Sequence, residues 1–354
     1  MNFAFILTNL AGGGAEKAIL KLAAALTGRG HRAEVVLLED RVEHAVPAGV
    51  TVFPLGGRAA HGWLGKRLLA RRLRRHLIDR PDLVVSTLPF ADEVVVLADL
   101  PHHWCRIANT LGSEIDKLAA ASPAKARRRL ARYRRLYGSR PLIAVSAGVA
   151  VDLRQSLALA SRIETIPNAF DFAAMRQAAA EPMADLPTGP YVLHVGRFAP
   201  QKRHDLLLDA WARIETDRQL VLLTEPDVKL QALINARGLG QRVRVAGFRP
   251  NPYPWLAGAD LLALCSDHEG LPNVLIEALG CGTPAVSTDC PSGPRQILAA
   301  FPECLVPCGD AAALAETIAR CLATPPDPAR ADLSAYGLDR VAEAYERLAA
   351  GHPG

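Results

Sequence analysis

The sequence predicts an α/β protein made of two consecutive domains, each with a parallel sheet. Its 354 residues exceed the length at which a single hydrophobic core usually stops growing. Near the start, the apolar run FAFILTN leads through a glycine turn into a helix-period segment and then into a second apolar run, AEVVLL. That order of strand, turn, helix and strand indicates a parallel sheet. A second start of the same kind follows at residue 191.

The first domain is predicted over residues 1–168. Its first helix is indicated by apolar residues at three- and four-residue steps, namely Ile19, Leu22, Ala23 and Leu26. Further strands are predicted at 82–87, 106–110 and 141–146, where the sequence reads DLVVST, RIANT and PLIAVS. Two arginine-rich helical stretches separate these strands.

The second domain is predicted over residues 169–333. Its strands are expected at YVLHVG, QLVLLT, RVRVAG, DLLALC and AVST, with a helix over 205–214. A final segment, 334–354, belongs to a helix whose pattern extends from 332 to 350. The apolar stripe of this helix comprises Leu338, Val341, Tyr345 and Leu348.

Composition excludes several classes of protein. Half of the residues are hydrophobic, which excludes a disordered chain because disorder needs low hydrophobicity. No uncharged apolar run reaches the roughly 18 residues of a membrane-spanning helix, and the start lacks the basic region of a signal peptide. We therefore expect a cytoplasmic protein. The seven cysteines form no C-x-x-C pair and have no matching histidine spacing, so we expect reduced core thiols.

Positive charge is concentrated in two segments. The chain carries a net charge of +5, while residues 66–80 carry +6 and residues 125–140 carry +8. One face of the first segment holds Leu69, Leu73 and Leu77, and one face of the second holds Leu130, Tyr133, Leu136 and Tyr137. Basic amphipathic helices suit an anionic membrane surface. An arginine-rich solvated face is the alternative interpretation.

A turn followed by a helix at 266–284 holds the richest set of polar residues. It follows the strand DLLALC, and Pro272 suits the first helical position. Such a turn, at the carboxyl end of a strand and before a helix N-terminus, favours an anion such as a diphosphate. Glu269 and Glu277 could accept hydrogen bonds from sugar or ribose hydroxyls, although either glutamate alone is more often solvated.

Two further turns follow predicted strands. The turn from Gly196 to Lys202 carries Arg197 and Lys202, and two cations at that spacing could clamp a diphosphate. The glycine run 12–14 precedes Glu16, but it is neither a dinucleotide fingerprint nor a P-loop. It is better explained as a turn that lets a ligand approach the backbone.

In combination, these residues resemble the retaining glycosyltransferases of family 4, which have the GT-B fold. The shared features are the Glu-x7-Glu pattern of Glu269 and Glu277, the G-R-F-x-x-x-K run at 196–202, and GGGAE near the start. Residues 145–171 resemble the interdomain stretch of the family. The resemblance implies two Rossmann-like domains that face each other across a cleft. It also implies that the C-terminal helix, 334–354, crosses back onto the first domain. It is strongest to bacterial members that extend lipid-linked oligosaccharides or surface polysaccharides.

The resemblance also implies roles for individual residues. Arg197 and Lys202 would bind the donor diphosphate and stabilise the departing nucleotide, and Glu269 would contact the transferred sugar; these three form the expected catalytic set. Glu277 would hold the ribose, and Gly13 and Gly14 would approach the phosphates from the first domain. The full donor set implied is Gly13, Gly14, Gly196, Arg197, Lys202, Phe248, Arg249, Glu269, Gly270, Leu271, Pro272, Asn273, Val274 and Glu277.

Two departures from the family pattern are visible. Asn109 stands where many members have a histidine, so we assign it to acceptor binding. His102 and His103 lie a few residues earlier, and neither is predicted to be catalytic. In addition, the run from Leu223 to Pro226 replaces a glycine-rich turn of the family, which weakens the expectation for contacts with the donor base.

The implied reaction transfers a hexose or N-acetylhexosamine from a nucleotide sugar, with UDP favoured over GDP. The acceptor would be a lipid-linked oligosaccharide or a polysaccharide of the cell envelope, at the inner face of the cytoplasmic membrane. No metal or other cofactor is expected, because the sequence has no Asp-x-Asp motif; Asp267-His-Glu269 comes nearest. The alternatives are a sugar-nucleotide epimerase of the same fold and a basic nucleic-acid-binding protein.

Overall fold

The structure, a computed structural model, describes residues 1–11, 13–56, 62–78 and 81–351. It divides into two compact units. The first unit comprises Met1–Phe170 with Ser334–Gly354, and the second comprises Asp171–Leu333. The first change of unit thus follows Phe170, two residues after the domain boundary predicted from the sequence. Gly12, Asp79 and Arg80, which belong to segments singled out above, lie outside the described residues.

The first unit is built on a seven-stranded sheet in which every pairing is parallel. Its strands are β1 (Asn2–Leu7), β2 (Arg32–Leu37), β3 (Thr51–Pro54), β4 (Leu83–Thr87), β5 (His103–Ile107), β6 (Leu142–Ala144) and β7 (Ile163–Thr165). The spatial order is β3-β2-β1-β4-β5-β6-β7. The order therefore reverses between β1 and β4, which is where open sheets of this kind bind ligands.

Helices cover both faces of this sheet. They are α1 (Gly14–Gly28), α2 (Trp63–His76), α3 (Pro89–Ala98), α4 (Leu111–Ala121), α5 (Pro123–Tyr137) and α6 (Ala147–Gln155). Alternate residues of β1 point to opposite faces. Phe5 joins a core cluster with Ile19 and Leu26 of α1, while Ile6 joins a second cluster with α2 and α3.

The second unit repeats this plan with six strands. They are β8 (Tyr191–Val195), β9 (Gln219–Leu223), β10 (Val243–Val245), β11 (Leu261–Leu264), β12 (Ala285–Thr288) and β13 (Leu305–Val306), in the order β10-β9-β8-β11-β12-β13. The helices are α7 (Phe172–Ala179), α8 (His204–Trp211), α9 (Val228–Ala236), α10 (Tyr253–Ala257), α11 (Asn273–Gly280), α12 (Pro294–Ile297) and α13 (Ala311–Ala323). All strand pairings are parallel, and the order reverses between β8 and β11.

The end of the chain rejoins the first unit through α14 (Leu338–Ala349). Val341, Tyr345 and Leu348 are buried in the same cluster as α1. The backbone N–H of Phe170 donates to Tyr336 O at 2.9 Å, and the N–H of Leu338 donates to Phe170 O at 3.1 Å. The predicted start of this helix at residue 332 was wrong, because a short 3-10 turn at Ser334–Tyr336 comes first.

Other predicted elements differ from the structure at their ends. The strand predicted at 106–110 is β5, which ends at Ile107; Asn109 and Thr110 belong to the loop before α4. The helix predicted over 205–214 ends at Trp211. Strands β3, β7 and β13 were not predicted, because runs of two to four partly exposed residues have no readable periodicity.

The apolar faces of the two basic segments are not available to a membrane. Leu69, Leu73 and Leu77 are at most 7% exposed and pack against α3. Tyr133, Leu136 and Tyr137 of α5 are also buried. These buried side chains therefore belong to the protein's own core, and a membrane contact of the two segments stays a prediction that concerns their exposed basic side chains. An amphipathic pattern indicates only that one face is buried and does not identify what buries it.

All seven cysteines are free thiols. Five of them are buried, Cys281 is half-buried and Cys308 is exposed. The expectation of core thiols therefore holds for five of the seven. Among the residues that the structure describes, no helix combines the length and the apolar character needed to span a membrane.

Candidate functional site

Two of the predicted turns are neighbours at the carboxyl edge of the second sheet. The turn after β8 includes Gly196 and ends in a 3-10 turn at Pro200–Lys202, and the turn after β11 leads into α11. The two strands pair directly, with Leu262 opposite Leu193. The predicted phosphate-binding and sugar-binding turns therefore meet at the point where the strand order reverses.

Lys202 and Glu269 form an ion pair that joins these turns. Lys202 Nζ donates to Glu269 Oε1 at 2.6 Å. The two side chains are 21% and 10% exposed, so each charge is largely withdrawn from water and stabilised by the other. An ammonium has three donors, so Lys202 can hold Glu269 and still donate to an oxygen of a bound anion.

Three further contacts tie the same turns together. Gln201 Nε2 donates to His268 O at 2.5 Å, and the N–H of Asp267 donates to Gln201 O at 2.9 Å. Arg203 Nη1 donates to Asp267 Oδ1 at 3.0 Å. Sequence reasoning missed Gln201 and Arg203, although the opposite charges of Arg203 and Asp267 beside the predicted residues were a visible clue.

Arg197 lies in a different environment from Lys202. Its side chain is exposed on the turn after β8. Within the described ranges of the chain it has no ion pair or side-chain hydrogen bond. The two cations predicted as a clamp therefore differ: Lys202 is fixed by Glu269, while the guanidinium of Arg197 stands in solvent.

A segment after β12 forms hydrogen bonds with the turn that contains Glu269. The N–H of Glu269 donates to Pro291 O at 3.3 Å, and Ser292 Oγ donates to Gly270 O at 2.6 Å. We call Pro291–Gly293 the brace. It fixes the backbone of the turn at two successive residues.

Gly293 of the brace also sets the entry to α11. Its φ is +95°, and a Cβ at this position would lie 2.2 Å from Pro272 Cδ. Pro272 therefore packs against the glycine backbone. It immediately precedes the helix, which starts at Asn273, so the prediction of Pro272 as the first helical residue was wrong by one position. The predicted donor residues Gly270, Leu271, Pro272 and Val274 are buried, and Asn273 is half-buried.

The remaining predicted donor residues of the second unit are Phe248, Arg249 and Glu277. Tyr253 OH is 3.5 Å from Glu277 Oε1, and burial together with the charge of Glu277 raises the pKa of Tyr253. Phe248 is 54% exposed. Arg249 forms an ion pair with Asp185 and lies over the ring of Trp255.

In the first unit, Gly13 and Gly14 stand at the start of α1, the helix that follows β1 in the chain. The strand order of this sheet reverses beside β1. Asn109 follows β5, and its Oδ1 accepts the N–H of Thr110 at 3.0 Å. His102 is exposed, but His103 is buried in β5. Burial lowers the pKa of His103 to about 3.

His103 belongs to a buried polar cluster that sequence reasoning missed. Its Nε2 lies 2.7 Å from Ser86 Oγ, which donates to Asp92 Oδ1 at 2.5 Å. Tyr137 OH donates to Asp92 Oδ2 at 2.7 Å. Burial raises the pKa of Asp92 to about 7. The cluster joins β4, α3, β5 and α5 inside the core.

In the part of the chain that the structure describes, no group of three or more His, Cys, Asp or Glu side chains is arranged to hold a metal ion.

Comparison with known protein families separates the chain into two matched regions. Residues 12–174 match the model described as Glycosyltransferase Family 4. Residues 189–324 match the model described as Glycosyl transferases group 1. The predicted family and the predicted class of enzyme are thereby confirmed.

The curated relatives include glycosyltransferases from bacteria. The chain is 39% identical over 155 residues, 43% of this chain and 42% of the relative, to an N-acetylgalactosamine-N,N'-diacetylbacillosaminyl-diphospho-undecaprenol 4-alpha-N-acetylgalactosaminyltransferase of Campylobacter jejuni. It is 31% identical over 214 residues to the lipopolysaccharide core biosynthesis glycosyltransferase LpsD of Rhizobium meliloti, covering 59% of this chain and 60% of that protein. The matches thus span about half the length of these relatives.

Among solved structures, HepE of Anabaena in complex with UDP and glucose matches with a TM-score of 0.67. The match covers 98% of this chain and 95% of HepE at 21% identity, so it bears on the fold alone. It confirms the predicted class of two Rossmann-like domains of GT-B type. These comparisons do not support an epimerase or a nucleic-acid-binding protein. With a family 4 domain followed by a group 1 domain, the chain belongs to the glycosyltransferases.

Proposed function

We propose that this protein is a retaining glycosyltransferase that moves a hexose or N-acetylhexosamine from a UDP-sugar to a lipid-linked oligosaccharide or polysaccharide acceptor. The observation that carries the proposal is the contact between Lys202 and Glu269 at the carboxyl edge of the second sheet. It brings a cation suited to a diphosphate next to a carboxylate suited to sugar hydroxyls, beside the N-terminus of α11.

In the proposed reaction, the acceptor hydroxyl oxygen bonds to the anomeric carbon as the bond from that carbon to the β-phosphate oxygen breaks. The leaving phosphate oxygen takes the proton of the acceptor on the same face of the sugar, so the configuration is retained. Arg197 and Lys202 stabilise the charge that develops on the nucleotide diphosphate. A preorganised donor, which Lys202 is, typically contributes about 2.7–4 kcal/mol to lowering the barrier.

The two cations are proposed to serve in place of a metal ion. Lys202 is already held by Glu269, and the exposed Arg197 is free to close on a phosphate. We expect full transfer activity in excess EDTA. Complete loss of activity in EDTA, restored by magnesium, would contradict this part of the proposal.

The names of related proteins support the choice of donor and acceptor. The HepE structure contains UDP and glucose, and the Campylobacter relative is named for a diphospho-undecaprenol substrate. The relative from Rhizobium is named for lipopolysaccharide core synthesis. We further propose that the arginine side chains of 66–80 and 125–140 hold the enzyme at an anionic membrane surface, where such acceptors are embedded.

Calorimetric titration with UDP and with GDP, in the presence of EDTA, tests the donor site. We expect UDP to bind the wild type and to show no measurable binding to Arg197→Ala/Lys202→Ala. The matched control is Arg213→Ala/Lys229→Ala, which removes two exposed cations of the same unit. Binding of GDP alone would overturn the choice of nucleotide, and equal UDP binding by both double variants would overturn the site.

A further inference from the structure

Arg203 joins the two turns of the candidate site through two carboxylates. Its Nε donates to Asp205 Oδ1 at 3.0 Å, and its Nη2 donates to Asp205 Oδ2 at 2.9 Å. Its Nη1 donates to Asp267 Oδ1 at 3.0 Å. The hydrogen bond from Arg203 lowers the pKa of Asp205, so this carboxylate stays ionised. One guanidinium therefore links the first turn of α8 to the turn after β11.

The backbone of Arg203 adopts a conformation that favours glycine. Its φ is +48° and its ψ is +49°, at the junction between the 3-10 turn Pro200–Lys202 and α8. A residue with a Cβ is disfavoured in this left-handed region, whereas glycine enters it freely. The arginine thus occupies this position at a conformational cost, which the contacts of its side chain offset.

The two turns carry equal numbers of positive and negative side chains, histidines aside. Over 196–205 and 266–270, the three cations and three carboxylates are Arg197, Lys202, Arg203, Asp205, Asp267 and Glu269. A nucleotide diphosphate is itself an anion, so a carboxylate without a cationic partner would weaken its binding nearby. Loss of any one cation would leave the two turns with a net negative charge.

Arg203 neutralises a carboxylate that lies beside the turn of Lys202. The N–H of Asp267 donates to Gln201 O at 2.9 Å, which brings the backbone of Asp267 next to that turn. The side chains of Arg203 and Asp267 are 28% and 25% exposed, so water screens their charges only in part. With Asp267 paired to Arg203, Lys202 is left to pair with Glu269 at 2.6 Å.

We propose that Arg203 is a positioning residue for the donor site, because it holds Asp267 in place and cancels the charge of Asp267 beside the bound diphosphate. This inference rests on the proposed function, which places the diphosphate at Lys202. Both carboxylate contacts already engage the guanidinium of Arg203, so it acts on the donor through Asp267 and not by touching it. A purely mechanical link between the turns would depend on the contact, but not on the charge that Arg203 cancels.

Arg203→Gly removes the side chain and keeps a residue that suits the backbone. By calorimetry in EDTA at low salt, we expect this variant to bind UDP about tenfold more weakly than the wild type. Its Tm should stay close to that of the wild type, because the lost ion pairs are partly exposed and glycine relieves the backbone. The matched control, Arg237→Ala, removes an ion pair with Asp209 of the same unit and should leave UDP affinity unchanged. Equal UDP affinities of Arg203→Gly and Arg237→Ala would overturn the proposal.

Asp267→Asn tests whether charge causes the effect. In Arg203→Gly/Asp267→Asn the carboxylate is gone as well, so we expect most of the lost UDP affinity to return. Salt should also reduce the difference between the wild type and Arg203→Gly, to about twofold at about 1 M, where the Debye length is about 3 Å. A mechanical link predicts no recovery and a difference that salt does not change, and either result would refute the proposed role of charge.

Arg203→Lys guards against a variant that fails to fold. It retains the positive charge but not the bidentate geometry, so it should bind UDP more tightly than Arg203→Gly. Should Arg203→Gly be unfolded in thermal denaturation, the comparison passes to Arg203→Lys and Arg203→Asn, since asparagine tolerates the left-handed region. Equal UDP binding by these two folded variants would then contradict the proposal.

The nucleotide titrations of the wild type separate this inference from the proposed function. Binding of neither UDP nor GDP, with EDTA or with magnesium, would refute the donor site and the role of Arg203 together. Binding of UDP by the wild type, with no loss in Arg203→Gly, would leave the donor site standing and refute the positioning role alone. Binding that is lost in Arg203→Gly and recovered with Asp267→Asn would support both.

Discussion

At the scale of single residues, Arg197 and Lys202 belong to one motif but lie in different environments. The sequence presents them as two equivalent cations on one turn. In the structure, Lys202 neutralises the nearly buried Glu269, while Arg197 is exposed. The difference depends on a residue 67 positions away in the chain.

This difference predicts distinct effects of removing each cation. Lys202→Ala should lower the free energy of unfolding by about 1–3 kcal/mol, because it leaves the charge of Glu269 without its partner. Arg197→Ala should change it by less than about 0.5 kcal/mol, while both variants weaken UDP binding. Chemical denaturation checks the stabilities. Lys202→Ala/Glu269→Gln should recover part of the loss, and no recovery would contradict an ion-pair origin.

Asp92 predicts a stability that depends on pH. Burial raises its pKa in the folded protein to about 7, above that of an aspartate in an unfolded chain, so the folded state binds this proton more tightly. The stabilisation is present at low pH and is lost as the pH rises towards 7. From pH 5 to pH 8, the wild type should lose about 2–3 kcal/mol more than Asp92→Asn. Equal changes in urea denaturation at the two pH values would contradict the prediction.

At the scale of elements, the turn before α11 is held by a neighbouring turn. No pattern in the sequence indicates that the two turns are in contact. The brace holds the Glu269 turn through Pro291 and Ser292, and Gly293 leaves room for Pro272. The Glu-x7-Glu spacing identifies both glutamates, but the geometry of the first comes from residues more than 20 positions later.

Gly293→Ala should therefore damage the site more than an ordinary glycine substitution. Its positive φ costs about 1–2 kcal/mol for a residue with a Cβ, and displacement of Pro272 adds about 1–3 kcal/mol. Gly309→Ala is the matched control, because its φ is +80° and nothing lies within 4 Å of the new Cβ. We expect the control to retain UDP binding, and calorimetry together with thermal unfolding distinguishes the two. Equal effects of both substitutions on UDP binding and on thermal unfolding would contradict the proposed role of the brace.

The basic helices show where periodicity stops being informative. The leucine stripe of α2 correctly predicts a buried face, but the burial is against α3 rather than lipid. The exposed Trp63 and Leu64 lie outside that stripe. Only the packed structure distinguishes the apolar side chains that the core covers from those that it leaves in solvent.

At the scale of the whole molecule, the chain repeats one strand order in two units and then returns to the first. The strand order reverses at corresponding places in both sheets, between β1 and β4 and between β8 and β11. The return is made by α14, which buries Val341 and Tyr345 against the cluster that includes α1.

Stability of the first unit should consequently depend on the last helix of the chain. Tyr345 is buried, and its ring meets that of Phe5 edge to face, with the centroids 6.2 Å apart. Tyr345→Ala should lower the free energy of unfolding by about 3–5 kcal/mol. Glu343→Ala changes a residue of the same helix whose side chain is 51% exposed. It should change the free energy of unfolding by less than about 0.5 kcal/mol. Thermal unfolding measures both, and a mild effect of Tyr345→Ala would mean that α14 is dispensable for this core.

The sequence by itself determined the α/β class, the division into two domains and a helix near the end of the chain. These features are local: buried parallel strands are short apolar runs, helices repeat every 3.6 residues, and glycine or proline marks the turns. The tertiary structure decided which turns lie side by side and that Lys202 forms an ion pair with Glu269. It also decided that Gly293 lies against Pro272 and which apolar side chains of α2 stay exposed. Each of those depends on contacts between residues distant in the chain, which a pattern read along one segment does not contain.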